Sequence, residues 1–497
     1  MLLTLSLLTA EAAQLRAILD LGPEGIVGPN VRVEHARVID GDLRSVAGDV
    51  RVVSATGEVL ATAALAPLTG WRAVVTPEGH DAAPHPTTRI RIAAPWPEGA
   101  YALQIGGRTL PVDLDERAWL VAPEPAEPIH VSGLSARRLD LVILGDGFTE
   151  AEHAKFDEAV AAVTSHLARL EPYNVYGDLL NVWKVFTPSD VSGVDPRPTP
   201  GSNGAFDTPF ECYYACNDID RLVCCDETKI LPQVQASVPF AEGVLVLVNS
   251  NVYGGSGGYD YSAAFIGAEG ARVAAHELAH SLVLLWDEYS YGTEGDPDAF
   301  ISHNCAPEGE PVPWTAWMDA AHPEIGTYPG CSFTNWVRPT PSGCMMMSLQ
   351  DQYCPVCREH LVRTMYEAVG GPIESVDPSP DERLTLHAGD HQTFTVTSFE
   401  PRTGLEWEWS LDGEVVSNTP ETFDLDGCGN HRELQLTVRD PTPWVRSDPE
   451  GWLESDVRWK IKTDRCEGDP ARCGCQTGPA PAGLLALAAL ALARRRR

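Results

Sequence analysis

Two histidines and a glutamate near the middle of the chain have the spacing of a metal site. His276 and His280 are four residues apart, so on a helix they lie on one face, with Cβ atoms roughly 5–6 Å apart. That separation allows two imidazoles to bind one Zn²⁺ at about 2.0–2.1 Å each. Glu277 follows the first histidine and can act as a general base on a water at the metal. The alternative is a buried helix with two hydrogen-bonded core histidines, which leaves the Asp-Glu-Tyr sequence after the helix without a packing role.

A catalytic zinc has three protein ligands and one open position, and Asp287 is the candidate for the third ligand. On a straight helix, a separation of eleven residues would put Asp287 roughly 16 Å along the axis from His276. The chain is therefore expected to leave the helix between Leu282 and Trp286 and to turn back towards the metal. The glycine turn and third histidine of the H-E-x-x-H-x-x-G-x-x-H pattern are absent, so this turn must be of another kind. Glu288 is the alternative ligand.

Three consecutive methionines, half of the six in the chain, follow Ser-Gly-Cys at 345–347. In metzincin-type zinc peptidases a methionine turn forms an apolar floor beneath the metal. Met346 is accordingly predicted as the floor residue, the alternative being methionine as an adaptable core filler. Tyr289 is a candidate for supporting the ligands or for stabilising an oxyanion.

These segments together resemble the immunoglobulin A peptidase family of metallopeptidases. Its members carry H-E-x-G-H-S-x-x-x-L-x-D-E-Y, C-M-M and C-P-V-C, which correspond here to 276–289, 344–346 and 354–357. The stretches 139–149, 246–250 and 253–257 are also similar, and the resemblance covers about 135–370. Ala279 stands where the family usually has glycine. The resemblance implies a secreted zinc endopeptidase, but it does not imply that immunoglobulin is the substrate.

Composition limits the compartment and the partners. The 497 residues are enough for two to four domains. A net charge of −34 argues against nucleic acid and anionic membrane surfaces as partners, because phosphate binding needs a basic face. Thirteen clustered cysteines predict local disulfides in an oxidising compartment. Cys354-x-x-Cys357 is half of a zinc pattern, but no second C-x-x-C partners it.

We expect a multidomain α+β protein in which a metzincin-like zinc peptidase domain, with a mixed sheet and an active-site helix, lies between two β-sandwiches. The predicted units are a signal peptide (1–13), an N-terminal β-sandwich (20–128) ending in a Glu/Pro linker (123–128), the peptidase domain (135–370) and an immunoglobulin-like β-sandwich (373–465). Within the peptidase domain we expect strands at 139–144, 181–186 and 244–248, a helix over 150–170 capped by Thr149 and Glu152, and a disulfide-held loop at 200–235. The glycine run at 253–258 could let the backbone approach a substrate strand or serve as a flexible connector.

The last stretch, 466–497, combines a Cys/Gly/Pro spacer, a short apolar run and four terminal arginines. The apolar run is shorter than the roughly 20 residues that span a membrane comfortably, but it suits a processed transmembrane tail. It resembles the myxosortase-type sorting signals of bacteria, which implies attachment to the cell surface.

The sequence therefore predicts a secreted or surface-sorted zinc endopeptidase that cleaves extracellular proteins or peptides. Two other functions remain open. One is a non-catalytic surface adhesin with a structural zinc, and the other is a zinc amidase acting on cell-wall peptides.

Overall fold

The structure is a computed structural model. It describes residues 126–466 except 134, 197–205, 217–218, 239–240, 259, 296–301, 381–382 and 400. N-terminal to these it describes 13–111, largely as backbone, with gaps at 23–24, 35–48, 65–70, 77–78, 85–87, 97–99 and 106–107. The predicted signal peptide, apart from Ala13, and the predicted sorting tail beyond Cys466 lie outside the described residues. In the described part of the chain, no helix is both long and apolar enough to cross a bilayer.

Every described element between residues 13 and 111 is a β-strand. The strands are β1 (Ala13–Gly22), β2 (Gly25–Glu34), β3 (Asp49–Ser54), β4 (Val59–Ala64), β5 (Trp71–Thr76), β6 (Gly79–Pro84), β7 (Thr88–Trp96), β8 (Ala100–Ile105) and β9 (Arg108–Pro111). They form sheets of order β2-β1-β7 and β4-β3-β8-β9 and a β5-β6 pair. The all-β content agrees with the expectation for this region, while the domain limits of 20–128 stay a prediction.

The central region mixes strands and helices. Its elements are β10 (Glu127–His130), β11 (Leu139–Asp146), α1 (His153–Leu167), α2 (Tyr173–Tyr176), β12 (Leu180–Val185), β13 (Tyr213–Tyr214), β14 (Val223–Cys224), α3 (Glu227–Ser237), β15 (Gly243–Val248), β16 (Gly255–Gly257), β17 (Ser262–Phe265), α4 (Gly270–Val283), β18 (Ala306–Pro307), β19 (Tyr328–Cys331), β20 (Phe333–Arg338), α5 (Met345–Ser348) and α6 (Pro355–Val369). This composition confirms a mixed α+β fold with a mixed sheet.

A six-stranded sheet of order β10-β12-β11-β15-β17-β16 organises this region. Its four middle strands are parallel, and β10 and β16 close the two ends antiparallel to their neighbours. β11, β12 and β15 are buried along their whole length, which explains why they are apolar runs without alternation. The strands expected at 139–144, 181–186 and 244–248 are confirmed. The predicted end of the linker at residue 128 is wrong, because Glu127 and Pro128 belong to β10 and pair with β12.

The helix expected over 150–170 begins with a short 3₁₀ turn at Glu150–Glu152 and continues as α1. The backbone N–H of Thr149 donates to Glu152 Oε2 at 3.0 Å, which confirms the capping contact. The loop expected at 200–235 is held by the disulfides Cys212–Cys225 and Cys216–Cys224, although α3 occupies its last part.

The C-terminal region is again made of strands. They are β21 (Ile373–Asp377), β22 (Leu384–Leu386), β23 (His391–Ser398), β24 (Glu406–Leu411), β25 (Glu414–Ser417), β26 (Thr422–Asp426), β27 (Glu433–Arg439) and β28 (Glu454–Thr463). Two sheets, β21-β23-β26 and β22-β28-β27-β24-β25, share an apolar core that includes Phe394, Trp409 and Trp459. β24 and β25 form a hairpin around Asp412-Gly413.

This C-terminal region is joined to the central one by buried polar contacts. Asp440 Oδ2 accepts hydrogen bonds from the hydroxyls of Tyr176 and Tyr366 at 2.8 and 2.7 Å. Arg138 forms an ion pair with Glu374. The two regions therefore stabilise each other.

Candidate active site

Helix α4 carries the two histidines on one face, one turn apart. Their Nε2 atoms are 3.2 Å apart, and His276 is 6% exposed. The helix ends at Val283, inside the interval that the sequence indicated, and Leu284 takes the left-handed conformation with φ 58°. The backbone N–H of Leu285 then donates to Ala279 O at 3.1 Å. This helix end reverses the chain without the glycine that usually occupies a left-handed position.

The reversal brings Asp287 to the histidines. Its Oδ1 atom lies 3.0 Å from His276 Nε2 and 3.4 Å from His280 Nε2, and the residue is 6% exposed. The hydroxyl of Tyr291 donates to the other carboxylate oxygen, Oδ2. Among the described residues Oδ1 has no hydrogen-bond partner. The structure thus gathers the three predicted ligands, with one carboxylate oxygen anchored and the other directed at the imidazoles.

Backbone carbonyls orient both rings. His276 Nδ1 donates to Met345 O at 3.0 Å, and His280 Nδ1 donates to Leu285 O at 2.6 Å. A histidine that donates through Nδ1 can present the lone pair of Nε2 to a metal ion. Burial acts to lower the pKa of His280, but Asp287 and Glu277 outweigh it and raise that pKa to about 9. The carboxylates of Asp287 and Glu277 therefore favour a positive charge at the position of the His280 ring.

Glu277 projects beside the histidines, and burial raises its pKa. His276, Glu277 and His280 form a group whose ligand atoms could hold a metal ion. Strand β16 passes close to this part of α4. A Cβ on Gly255 would lie 3.1 Å from Glu277 Oε1, and one on Gly257 would lie 2.6 Å from His280 Cβ. Two glycines of the run therefore serve the close packing of strand against helix.

The disulfide-held insertion covers part of the outer edge of β16. Gly255 N donates to Arg221 O at 3.1 Å, and the hydroxyl of Ser256 donates to Val223 O. The insertion also brings the Arg221 side chain to the site, where its Nη2 donates to the hydroxyl of Tyr289 at 3.2 Å. A cleft of about 460 Å³ opens here, lined by Arg221, Tyr253, His276, Glu277 and Tyr289 among others.

The methionine turn contacts the histidine site through a backbone carbonyl. α5 spans this turn, with Met345 and Met346 fully buried. Met345 O is the acceptor for His276, and Met346 O accepts from the backbone N–H of Glu288 at 2.9 Å. The apolar floor that the sequence assigns to the Met346 side chain stays a prediction.

Glu288, the alternative third ligand, contacts a different set of residues. Its Oε1 lies 3.1 Å from Cys357 Sγ and 3.6 Å from Cys354 Sγ. Cys344 completes this group. The three thiols are free, whereas the other eight cysteines that the structure describes form four disulfides, the two of the insertion together with Cys305–Cys331 and Cys428–Cys466.

Sequence reasoning missed three features. Arg221 comes from an insertion without a recognisable motif, and nothing in the sequence marks Tyr291 as the anchor of Asp287. The cysteine group was recognised only as an isolated C-x-x-C. Two histidines outside the site pack against aromatic rings: His303 stacks on His360 with ring centroids 3.2 Å apart, and His322 lies edge-on to Trp317.

Comparison with known proteins agrees with this geometry. Residues 128–316 match the family model described as IgA Peptidase M64. No curated protein matches the chain significantly. The matched segment contains α4 and Asp287, while the methionine turn and α6 lie beyond it. Residues 128–316 are therefore similar to the IgA peptidase M64 family, and this match supports a metallopeptidase activity for the protein.

Proposed function

We propose that the protein is a zinc-dependent endopeptidase that hydrolyses peptide bonds of extracellular proteins or peptides. The observation that carries this proposal is the convergence of His276 Nε2, His280 Nε2 and Asp287 Oδ1, whose mutual separations are 3.0, 3.2 and 3.4 Å. Ligands at about 2.0–2.1 Å from a tetrahedral Zn²⁺ are about 3.3–3.4 Å apart. The donor set and its spacing fit a zinc ion.

The remaining atoms of these ligands support the same proposal. Each imidazole is held through Nδ1 and Asp287 through Oδ2, so that one atom of each residue is left for the metal. Such outer contacts fix ring tautomers and ligand orientation in metal sites. Two imidazoles and one carboxylate are also a ligand set that zinc hydrolases use, and they leave one coordination position open.

The proposed mechanism assigns the proton transfers to Glu277. A zinc ion bound there would polarise the scissile carbonyl and acidify the attacking water. Glu277 accepts the proton of that water on a carboxylate oxygen and delivers it to the leaving amide nitrogen. Burial raises the pKa of this carboxyl, which brings it closer to that of a base able to take up and release a proton near neutral pH.

Tyr289 is the proposed donor to the carbonyl oxygen as negative charge develops on it. The hydrogen bond from Arg221 leaves the proton of the tyrosine hydroxyl available for this purpose, because the hydroxyl is the acceptor in that contact. Both residues line the cleft with Glu277. Met346 is the proposed apolar floor.

The four disulfides support an extracellular location. We further propose that the flanking β regions, 20–128 and 373–465, are separate sandwich domains, the second immunoglobulin-like. A signal peptide and a processed C-terminal sorting tail would place the enzyme at the outer surface of a bacterium.

Glu277→Gln tests the general-base role. The amide keeps the size of the side chain but cannot accept the proton, so the variant should bind zinc as the wild type does and lose turnover of a broad peptide library. Zinc content by elemental mass spectrometry controls for folding. Cleavage at the wild-type rate would remove Glu277 from the mechanism, and zinc without cleavage in the wild type would favour the surface adhesin.

A further inference from the structure

We propose that Glu288, Cys344, Cys354 and Cys357 form a second zinc site, structural rather than catalytic, directly behind the active site. The four ligand atoms lie within 4.8 Å of one another. All four residues are buried, with exposed fractions from 0% to 4%. They come from three segments: the chain after α4, the start of the methionine turn and the start of α6.

The distances match those of a tetrahedral zinc centre. Zinc–sulfur and zinc–oxygen bonds of about 2.3 and 2.0–2.2 Å require sulfurs about 3.8 Å apart and sulfur–oxygen separations of about 3.5 Å. The Sγ atoms of Cys344 and Cys357 are 3.8 Å apart. The Oε1 atom of Glu288 lies 3.1 and 3.6 Å from Cys357 Sγ and Cys354 Sγ.

A disulfide does not account for this group. A bond between any two of the thiols would leave the third cysteine and the glutamate buried together. The other hydrogen-bond contacts of the Glu288 carboxylate are with the neutral side chains of Asn304 and Thr340, both at 3.4 Å. Buried carboxylates are retained in proteins when they are paired or coordinate a metal. A divalent cation supplies the positive charge that these neighbours lack.

The start of helix α6 favours anionic ligands of the kind that zinc requires. Cys354 is the N-cap of the 15-residue helix α6, and Cys357 lies in its first turn. The positive end of the helix dipole stabilises thiolates there. The backbone N–H of Cys354 also donates to Cys344 Sγ at 3.4 Å. Thiolates select zinc rather than magnesium or calcium, a carboxylate oxygen can also bind zinc, and four protein ligands leave no open position for catalysis.

Such a site would hold the floor and wall of the active site in place. Glu288 follows Asp287 directly, and its backbone N–H binds Met346 O at 2.9 Å. Cys344 precedes Met345, whose carbonyl orients His276. One ion would therefore connect the segment that carries Asp287, the proposed third ligand, to the methionine turn, which orients His276.

Zinc content of the full chain tests the proposal. The wild type should contain two zinc ions per chain, and His276→Ala/His280→Ala should retain one, because the cysteine group is untouched. Cys354→Ser/Cys357→Ser should lose the buried ion. If the cysteine variant does not fold, the zinc content of His276→Ala/His280→Ala alone tests the second site.

Cobalt gives a second readout on His276→Ala/His280→Ala. Co²⁺ bound by three thiolates should produce sulfur-to-cobalt charge-transfer absorption in the near ultraviolet. Absence of both zinc and this band, or a disulfide among Cys344, Cys354 and Cys357 in non-reducing peptide mapping, would overturn the second site. The proposed catalytic zinc is tested separately, since its failure would lower the wild-type content to one ion and leave that of the histidine variant unchanged.

Discussion

Replacement of Tyr291 by phenylalanine tests how Asp287 is held. The Tyr291 hydroxyl donates to Asp287 Oδ2, so Tyr291→Phe removes this hydrogen bond and keeps the ring that packs edge-on against Tyr289, with centroids 5.5 Å apart. A hydrogen bond to a charged group contributes about 1.5–3 kcal/mol. Loss of a partner that orients a metal ligand typically weakens metal binding by about 10–100-fold. We therefore expect the affinity of the proposed catalytic zinc to fall by about that factor.

Tyr289→Phe is the matched control. Its hydroxyl contacts Arg221 rather than Asp287, so this variant should keep the wild-type zinc affinity and lose kcat if Tyr289 donates to the oxyanion. Competition with a chromophoric chelator measures the affinity, and comparison with His276→Ala/His280→Ala identifies the zinc ion that belongs to the histidines. Equal zinc affinity in Tyr291→Phe and the wild type would refute a role for the Tyr291 hydroxyl in holding Asp287.

Three further predictions concern packing, the link between regions and pH. Gly257→Ala would place a Cβ 2.6 Å from His280 Cβ, so urea unfolding should show a loss of about 1–3 kcal/mol in stability, with lower kcat/KM. Asp440→Ala would leave the two tyrosine hydroxyls that it binds without their acceptor, so calorimetry should show a loss of about 2–4 kcal/mol. Burial lowers the pKa of His303 to about 3, below the roughly 6.5 of an unfolded histidine; the unfolded chain therefore binds the proton first, and stability should fall as pH drops below about 6.5. In His303→Phe, which keeps a ring against His360, urea unfolding at pH 7 and pH 5 should show a smaller fall, and an identical fall would refute this origin.

The sequence predicted the parts of the structure that local physics determines. The apolar runs at 139–144 and 244–248 could only be buried strands next to a helix, and the histidine spacing requires a helical face. Asp287 would lie too far along a straight helix to reach the metal with His276, so the chain must reverse between them, and in the structure it reverses at Leu284. Because a left-handed leucine is uncommon, the sequence limits the reversal to 282–286 but does not single out Leu284 as the residue that makes it.

The remaining features depend on contacts between distant segments. β16 is three residues long and consists of Gly-Ser-Gly, so it has no strand signal of its own and exists because β17 and α4 lie beside it. β10 (Glu127–His130) begins in the Glu/Pro-rich stretch 123–128, whose composition predicts a linker. Arg221 reaches the cleft only because two disulfides fold the insertion back against β16. None of these contacts has a periodicity that one segment alone could reveal.

The adjacent carboxylates Asp287 and Glu288 show why the third ligand could not be settled from spacing. Both follow α4 at nearly the same distance from the histidines, and both are buried acidic groups. In the structure Glu288 contacts the cysteines, whereas Asp287 lies beside the imidazoles, and this placement supports Asp287 as the proposed third ligand. If both proposed sites hold zinc, the peptide unit between Asp287 and Glu288 joins them, and the Cα atoms of these two residues are about 3.8 Å apart. An ion that fixes Glu288 then restricts Asp287 as well, and linkage requires that each ion strengthen the binding of the other to the same extent. Cys354-x-x-Cys357, which has no second C-x-x-C to pair with in the sequence, would thereby contribute to the affinity of a catalytic metal that it does not touch.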